Sequence, residues 1–493
     1  MKPLGTITKY YPFIEEKLQR TLNRLMDESE CYFEFAQKLA KYVMENDVDV
    51  HLAYLATRLI WWTQVPDLIE SIALKYHDYE PIQAWKYPLR GAITDQVNYE
   101  MEFQKTLIKA IEQCTDDWIR VELYLLDAVF KIPFSVPDVV KSLDAASLLI
   151  EDNERLECFS SWFDVIEGVT KKREMTLDET WNLLERGRKA AKMYNDDIVR
   201  YESLLYQASI RRDVDIQSSL DLYEQAYSLA TALEIPFFIS EVMSDCSVSY
   251  ELSGEFDLAV ASASEAVNES HGIHPNTPLL ILARIYSRLG MGEKALESIN
   301  SIDETLDETS IHVYHLRKAR ALLLLNRLDD AEHHLEFAYP LVLRTDWEMR
   351  LSEYYHVTGL LEYARGELHN SLNMLQKSLE ILERRNHPLS KIPILRDLAN
   401  VELSIGLESK DSEGAIVPGQ WMTCLENLIN NHTLPGLKME FALLKSDFYL
   451  NSGHIQDARQ ILVDALNLSD SDAFRTLRFE LKKRLHAIDL LWI

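Results

Sequence analysis

A pattern of apolar, turn-forming and small residues recurs along the chain between residues 250 and 338. In each copy an apolar residue is followed four positions later by glycine or asparagine, and then by small or aliphatic positions. The turn positions are Gly254, Gly290 and Asn326, each 36 residues after the one before. A fixed period of this length is typical of stacked repeats, in which each unit buries its apolar face against the next.

Two further copies have their turn glycines at Gly366 and Gly453. Glycine and asparagine accept the left-handed backbone that closes a tight turn between helices. The pattern therefore predicts a first helix that ends at each of these positions. It also predicts a second helix with a small buried residue, at Ala259, Ala295, Ala331 and Ala458.

These residues resemble the tetratricopeptide repeat, a two-helix unit of about 34 residues. The resemblance rests on Tyr250 and Tyr286, on the turn glycines, and on the small positions of the second helices. It implies an all-α fold, a right-handed α-solenoid of stacked helix-turn-helix units. It also implies that the first helices line a concave groove for extended peptides or partner helices.

Helical spacing of apolar residues covers most of the chain, but its regularity changes along the sequence. We expect a divergent helical region at 1–157 and the repeat array at 158–472. A polar stretch at about 406–419 predicts a loop insertion in the array. Residues 473–493 predict an amphipathic capping helix and tail, because a terminal repeat needs a polar outer face. The alternative for this basic helix is a position on a membrane surface.

Composition favours an extended helical array. The chain has 493 residues, 47% of them hydrophobic, with only 15 glycines and 15 prolines, which disfavours all-β structure and disorder. The net charge of −28 disfavours nucleic-acid binding, because phosphate backbones are repelled. The acidic residues predict either a solvated helix surface or contact with a basic partner protein.

The sequence predicts a cytoplasmic protein with reduced thiols. Its five cysteines include no Cys-x-x-Cys pair. The N-terminus has no apolar signal core, and no apolar run approaches the roughly 18 residues of a membrane span. Trp61, Trp62 and Trp85 are interpreted as core residues of an irregular bundle, with an aromatic contact surface as the alternative.

The sequence contains no nucleophile or metal-binding motif. The stretch from Gly290 to Lys294 lies on a repeat turn and lacks the spacing of a phosphate loop. His333 and His334 are adjacent, so they point to different sides of a helix, and we expect them to face solvent. We therefore expect no enzyme activity, no cofactor and no metal.

The candidate binding residues lie on the predicted concave face. Arg284 and Arg288 are four residues apart and share a helix face, and Arg320 follows Arg284 by one period. Leucines on the same face would add an apolar wall. The other predicted groove positions are Leu280, Leu316, Leu323, Tyr201, Arg211, Arg212, His356 and Tyr363.

Two interpretations of the arginine row stay open. In the first, the arginines pair with acids of the chain itself, such as Glu251 or Glu255. In the second, they grip carboxylates of a bound peptide through bidentate, charge-assisted hydrogen bonds.

The sequence thus predicts a non-catalytic scaffold or adaptor that binds a partner protein or peptide in its groove. The alternative is a regulatory module whose curvature changes when a peptide or ligand binds. We expect no nucleic-acid partner and no membrane insertion, and the sequence does not indicate an oligomeric state.

Overall fold

The computed structural model describes residues 4–86, 96–132, 135–171, 176–212, 214–270, 276–302, 308–344, 348–384, 388–408 and 419–490. These residues form α-helices, short 3-10 helices and turns, without a β-strand among them. The all-α fold class is therefore confirmed. Most of the predicted loop insertion, at 409–418, lies outside the described residues.

The first helices of the chain form its N-terminal part. They are α1 (Leu4–Thr8), α2 (Glu16–Asp27), α3 (Tyr32–Glu45), α4 (Val50–Trp61), α5 (Pro66–Lys75), α6 (Glu80–Ala84), α7 (Gln96–Gln113), α8 (Asp117–Lys131) and α9 (Val136–Asp152).

The remaining helices follow from residue 160 to residue 490. They are α10 (Ser160–Lys171), α11 (Leu177–Met193), α12 (Asp197–Arg211), α13 (Ile216–Leu233), α14 (Pro236–Ser253), α15 (Phe256–Glu269), α16 (Asn276–Arg288), α17 (Gly292–Asn300), α18 (Glu308–Leu324), α19 (Leu328–Arg344), α20 (Glu348–Ala364), α21 (Leu368–Arg384), α22 (Ile392–Glu408), α23 (Gln420–Asn430), α24 (Pro435–Asn451), α25 (Ile455–Leu466) and α26 (Arg475–Leu490). From α8 to α25, each even-numbered helix packs against the helix that follows it.

Five interhelical turns are closed by the same hydrogen bond. The backbone N–H after the turn residue donates to the carbonyl four residues before that turn residue, at 2.8 to 2.9 Å. The turn residues all have a positive φ, 73° to 82° for the glycines and 56° for the asparagine. This geometry satisfies a helix-end carbonyl that would otherwise lack a donor. The turn residues are Gly254, Gly290, Asn326, Gly366 and Gly453.

The pair α14–α15 shows how one unit is built. Pro236 occupies the first turn of α14, where its missing N–H would have had no helical partner. Ala259 and Ala266 are fully buried on α15, so the two helix backbones lie close together. The hydroxyl of Ser240 donates to the carbonyl of Ala266 at 2.7 Å. The equivalent small residues of later pairs are also fully buried: Ala295, Ala331 and Ala458.

A buried ion pair lies at the centre of the N-terminal core. Arg58 Nε donates to Glu122 Oε1 at 3.0 Å, and both side chains are almost fully buried. The hydroxyls of Tyr10 and Tyr54 donate to the same carboxylate at 2.6 and 3.1 Å. The carboxylate therefore has three donors, which compensates for its removal from water.

Tryptophans surround this arginine. Ring centroids of four tryptophans lie 4.6 to 5.8 Å from the Arg58 guanidinium carbon. Trp61, Trp62 and Trp85 are at most 3% exposed, which confirms the core interpretation and leaves no aromatic surface there for a partner. The same apolar core continues without a break from Ile7 to Ala266, across the predicted boundary at residue 157.

The last helix, α26, packs on the final pair. Leu477, Leu481 and Ile488 are buried, and α26 contacts α24 and α25. Its opposite face exposes Lys482 and Lys483. Within the described ranges, no helix is long and apolar enough to cross a membrane.

The array curves back on itself, so that its end contacts α14 and α15. Gly254 lies against Gly436 at the start of α24, and a Cβ atom built on Gly254 would lie 2.6 Å from the Gly436 carbonyl carbon. Asp257 on α15 accepts hydrogen bonds from the backbone N–H and the hydroxyl of Thr476, both at 2.8 Å. The helices from α14 to α26 therefore form a closed ring.

A matched pair of glycine substitutions tests this closure. Gly254 and Gly453 have φ values of 80° and 81°, so alanine introduces similar left-handed strain of about 1–2 kcal/mol at both. Only Gly254 also faces another backbone, because a Cβ on Gly453 meets nothing within 4 Å among the described residues. We expect Gly254→Ala to lower the free energy of unfolding by about 1–3 kcal/mol more than Gly453→Ala in urea denaturation. Equal losses would contradict the closure.

Candidate functional site

The first helices of consecutive pairs bring charged side chains together on the inner side of the ring. Helices α14, α16, α18, α20, α22 and α24 each contribute at least one of these groups. We call them the inner charge cluster, which consists of Glu251, Arg284, Arg288, Arg317, Arg320, Arg350, Glu353, His356, Arg396, Asp397 and Glu440.

One part of the cluster joins α14, α16 and α24. Arg284 Nε donates to Glu251 Oε2 at 2.7 Å. Arg288 Nη1 donates to the backbone carbonyl of Glu251 at 2.9 Å, and its Nη2 donates to Glu440 Oε2 at 2.7 Å. Arg288 therefore ties the first inner helix of the ring to the last one.

A second part joins α20, α22 and α24. Arg396 Nη1 donates to Glu440 Oε1 at 2.8 Å, and its Nε donates to Asp397 Oδ1 at 3.1 Å. His356 Nε2 lies 2.7 Å from Asp397 Oδ2. Because the carboxylate can only accept, the imidazole donates its Nε2–H.

Burial and ion pairing shift the pKa values of these groups in opposite directions. Burial alone would raise the pKa of Asp397, but Arg396 and the hydrogen bond from His356 hold it well below its usual range. Burial would likewise raise the pKa of Glu440, yet Arg288 and Arg396 lower it. Burial lowers the pKa of His356 despite the neighbouring carboxylate, so this imidazole is neutral near pH 7.

A third part, on α18 and α20, is less completely paired. Arg317 and Arg350 share one carboxylate, that of Glu353, and Arg350 Nη1 lies 3.1 Å from Glu353 Oε2. Arg320 is 9% exposed, and burial lowers its pKa to about 10. Within the described ranges its guanidinium makes neither a hydrogen bond nor an ion pair closer than 4 Å.

The structure brings four of the predicted groove residues together in this cluster: Arg284, Arg288, Arg320 and His356. Arg284 and Arg288 contact Glu251, as the first interpretation of the arginine row expects. Glu255, the other acid considered there, instead accepts a hydrogen bond from the hydroxyl of Ser253.

Two of the three leucines predicted to form an apolar wall are buried in the core between helices. Leu280 and Leu316 are 5% and 0% exposed and belong to the packed core between helices. Leu323 is half-buried against the same kind of core. Leu280 and Leu316 are buried because a first helix in this ring packs against its own partner helix and against both neighbouring units.

The other predicted groove residues lie outside the cluster. Tyr201 is fully buried, stacks on Phe238 and donates to the Phe238 carbonyl at 2.9 Å. The remaining three have partners of their own along the array. Arg211 lies over Trp181, Arg212 lies 3.5 Å from Asp245, and the Tyr363 hydroxyl lies 3.0 Å from Ser404 Oγ.

The sequence pattern missed Glu440, Asp397, Arg396, Arg350 and Arg317. Glu440 is 152 residues from Arg288, and no local spacing predicts a contact over that separation. Arg317 could have been found, because it lies three residues before Arg320 and therefore shares its helix face.

A histidine pair lies between α18 and α19. His315 Nδ1 is 2.8 Å from His334 Nδ1, and burial lowers the pKa of both imidazoles, that of His334 to about 4. His333 is exposed as expected, whereas His334 is half-buried. In the part of the chain that the structure describes, no group of three or more His, Cys, Asp or Glu residues could hold a metal ion.

The repeated turns and the helix pairs identify the type of fold. Five turns share one backbone conformation and one hydrogen bond, and the helices they join pack as pairs. The fold is a tetratricopeptide-like array of helix pairs.

Comparisons with known proteins find only distant similarity to solved structures. No protein-family model and no curated protein sequence matches the chain. The Rap protein complexed with competence and sporulation factor is 12% identical, with 76% of this chain and 98% of that chain covered and a TM-score of 0.38. Yeast Tom70 is 12% identical, with 97% and 96% covered and a TM-score of 0.38. A tetratricopeptide repeat protein from Parabacteroides merdae is 16% identical, with 58% and 98% covered and a TM-score of 0.31.

Replacing Asp397 tests the buried pairing. Asp397→Asn removes one of the two carboxylates that pair with Arg396 and the carboxylate that accepts from His356, so the free energy of unfolding at pH 7 should fall by about 3–5 kcal/mol. The pKa of Asp397 in the folded chain lies below its unfolded value of about 3.9. Its contribution is therefore complete above that pH and is lost as pH falls towards the folded pKa.

Urea denaturation at several pH values should show a constant difference between Asp397→Asn and the natural chain down to about pH 5. The difference should narrow below about pH 4. Asp330→Asn, which breaks an exposed pair with Arg327, should change stability by less than about 1 kcal/mol. A difference for Asp397→Asn that does not change with pH would contradict this account.

Proposed function

We propose that the chain is a non-catalytic scaffold that binds an acidic segment of a partner protein at the inner charge cluster. The observation that supports this most directly is the convergence of charged side chains from α14 to α24 on one inner surface. In stacked repeats such a surface continues across several units. It therefore suits an extended or helical segment of a protein.

The charge of this surface favours an acidic partner. Among the described residues, the inner charge cluster contains six arginines and four carboxylates, in a chain whose net charge is −28. An acidic segment is repelled by the acidic remainder of the chain and attracted to the arginines. The guanidinium fork adds geometry to this attraction, because it matches a carboxylate with two parallel hydrogen bonds.

Three arginines of the cluster are placed to make the first contacts. The side chains of Arg284, Arg350 and Arg396 are 25%, 26% and 21% exposed. The side chains of Arg288 and Arg317 are only 2% and 5% exposed, so they would contribute their charge to the site without being its first contacts. A bound carboxylate would share the exposed guanidiniums with the acids of the chain.

A regulatory module is the second candidate, and Arg288 is the observation that favours it. This side chain connects α14 to α24 across the closure. A segment that competes for Glu440 or Arg396 would weaken that connection and open the ring. The regulatory function predicts a larger radius of gyration on binding in small-angle scattering, and the scaffold function predicts no such increase.

Fluorescence anisotropy with labelled peptides tests the proposed scaffold. One peptide library is rich in Asp and Glu, and a second has Asn and Gln at the same positions. We expect the acidic library alone to contain binders. Their affinity should fall with added salt, because exposed charge contacts are screened beyond about 10 Å at 0.1 M ionic strength.

Arg350→Gln should weaken binding of the selected acidic peptide about tenfold or more, because it removes a charged hydrogen-bond donor from the inner surface. Arg20→Gln is the matched control, since the Arg20 side chain is 75% exposed and lies in α2, outside the array. Circular dichroism and melting curves establish that both variants are folded. Equal binding of the two libraries, or equal loss in both variants, would contradict the proposal.

A further inference from the structure

Two arginines of α18 differ from the rest of the inner charge cluster. Arg317 and Arg320 are three residues apart, so they share one face of the helix. Arg320 is more than nine-tenths buried, yet its guanidinium has no ion pair or hydrogen bond within the described parts of the chain. The nearby carboxylates Asp397 and Glu251 already have partners, Arg396 and His356 for Asp397 and Arg284 for Glu251.

Arg317 is also incompletely paired. It contacts Glu353, which is shared with Arg350. Its Nε is buried and has no hydrogen-bond partner among the described residues. Burial, together with repulsion from Arg284, Arg350 and Arg320, lowers the pKa of Arg317 well below its usual value.

Such an arrangement is unfavourable without a further anion. A charge that is nine-tenths buried has lost most of its water, and it is stabilised by a partner of opposite sign with acceptors in the right geometry. Here one guanidinium has no partner, and a neighbouring one has a buried N–H without an acceptor. The missing group is therefore an acceptor with negative charge, located where both side chains reach it.

The charge and hydrogen-bond donors of the two guanidinium groups indicate which class of anion fits between them. A carboxylate can bridge two guanidiniums, as Glu440 does between Arg288 and Arg396, but its single charge neutralises only one of them. A phosphoryl group has a charge of about −1.5 to −2 near pH 7 and three acceptor oxygens. It can therefore accept hydrogen bonds from two guanidiniums and neutralise both.

We propose that Arg317 and Arg320 form a binding site for a phosphate-type oxyanion inside the ring, supplied as free phosphate or as the phosphoryl group of a larger molecule. The site shares the inner surface with the proposed acidic segment, but it does not require that segment. Occupation of the site would stabilise the inner surface, because it neutralises two buried charges.

Thermal melting at constant ionic strength tests the site. The natural chain is melted in chloride, acetate, inorganic phosphate or O-phosphoserine. Inorganic phosphate should raise the melting temperature by about 2 °C or more relative to chloride and acetate. If O-phosphoserine also raises the melting temperature, the site accepts the phosphoryl group of a larger molecule. If inorganic phosphate alone raises it, the ligand is the free anion. Equal melting in all four salts would overturn the proposal.

Arg320→Gln separates specific binding from the general stabilisation that phosphate salts give to folded proteins. This variant should lose the phosphate-dependent rise, whereas Arg20→Gln should keep it. In chloride, Arg320→Gln should melt at the same or a higher temperature than the natural chain, because it removes a buried charge without a partner. An unchanged phosphate response in Arg320→Gln, or a lower melting temperature for it in chloride, would overturn the proposal.

The two proposals fail independently. Peptide binding is measured in buffer without phosphate, so absence of an acidic binder leaves the phosphate response as it is. Absence of a phosphate response likewise leaves the peptide result in place.

Discussion

The contact that closes the ring is the constraint on which the rest of the inner surface depends. Stacked helix pairs alone would form an open superhelix with a solvated groove. Here the backbones of Gly254 and Gly436 meet so closely that neither position has room for a side chain. The contact places Glu440 within hydrogen-bonding distance of Arg288 and of Arg396. An open groove thereby becomes an enclosed surface on which charged groups face one another.

Enclosure changes what the charged residues require. A guanidinium on an open groove is hydrated and needs no partner, whereas a buried one does. Most of the arginines obtain a partner from a neighbouring inner helix, as Arg284 does from Glu251. Such buried pairs add little net stability relative to apolar packing, but they are strongly destabilising when one partner is removed. Arg320 obtains no such partner within the described residues, and this is why it is the group through which an external anion would act.

The parts of the structure that depend on local chemistry could be predicted from the sequence, and the parts that depend on closure could not. The turn at Gly290 and the buried small residue at Ala295 follow from one helix pair, and both are found as expected. The 36-residue period also predicts equivalent positions for Arg284 and Arg320, and both lie near Arg317 in the inner charge cluster. The partner of Arg288 on α24 depends on a contact 152 residues away, which no period encodes. Leu316 was assigned to the groove, but it lies in the core between helices. The periodicity predicts which face of a helix a residue lies on, but not how many neighbouring helices pack against that face.

The most direct test of the closed inner surface is a double-mutant cycle between Arg288 and Glu440. The free energy of unfolding is measured for Arg288→Met, Glu440→Gln and the double variant. If the two side chains meet across the closure, the effects should be non-additive by about 1–3 kcal/mol, because each single variant leaves the other group buried without its partner. Effects that add to within about 0.5 kcal/mol would show that α16 and α24 do not meet, and would contradict the closed ring.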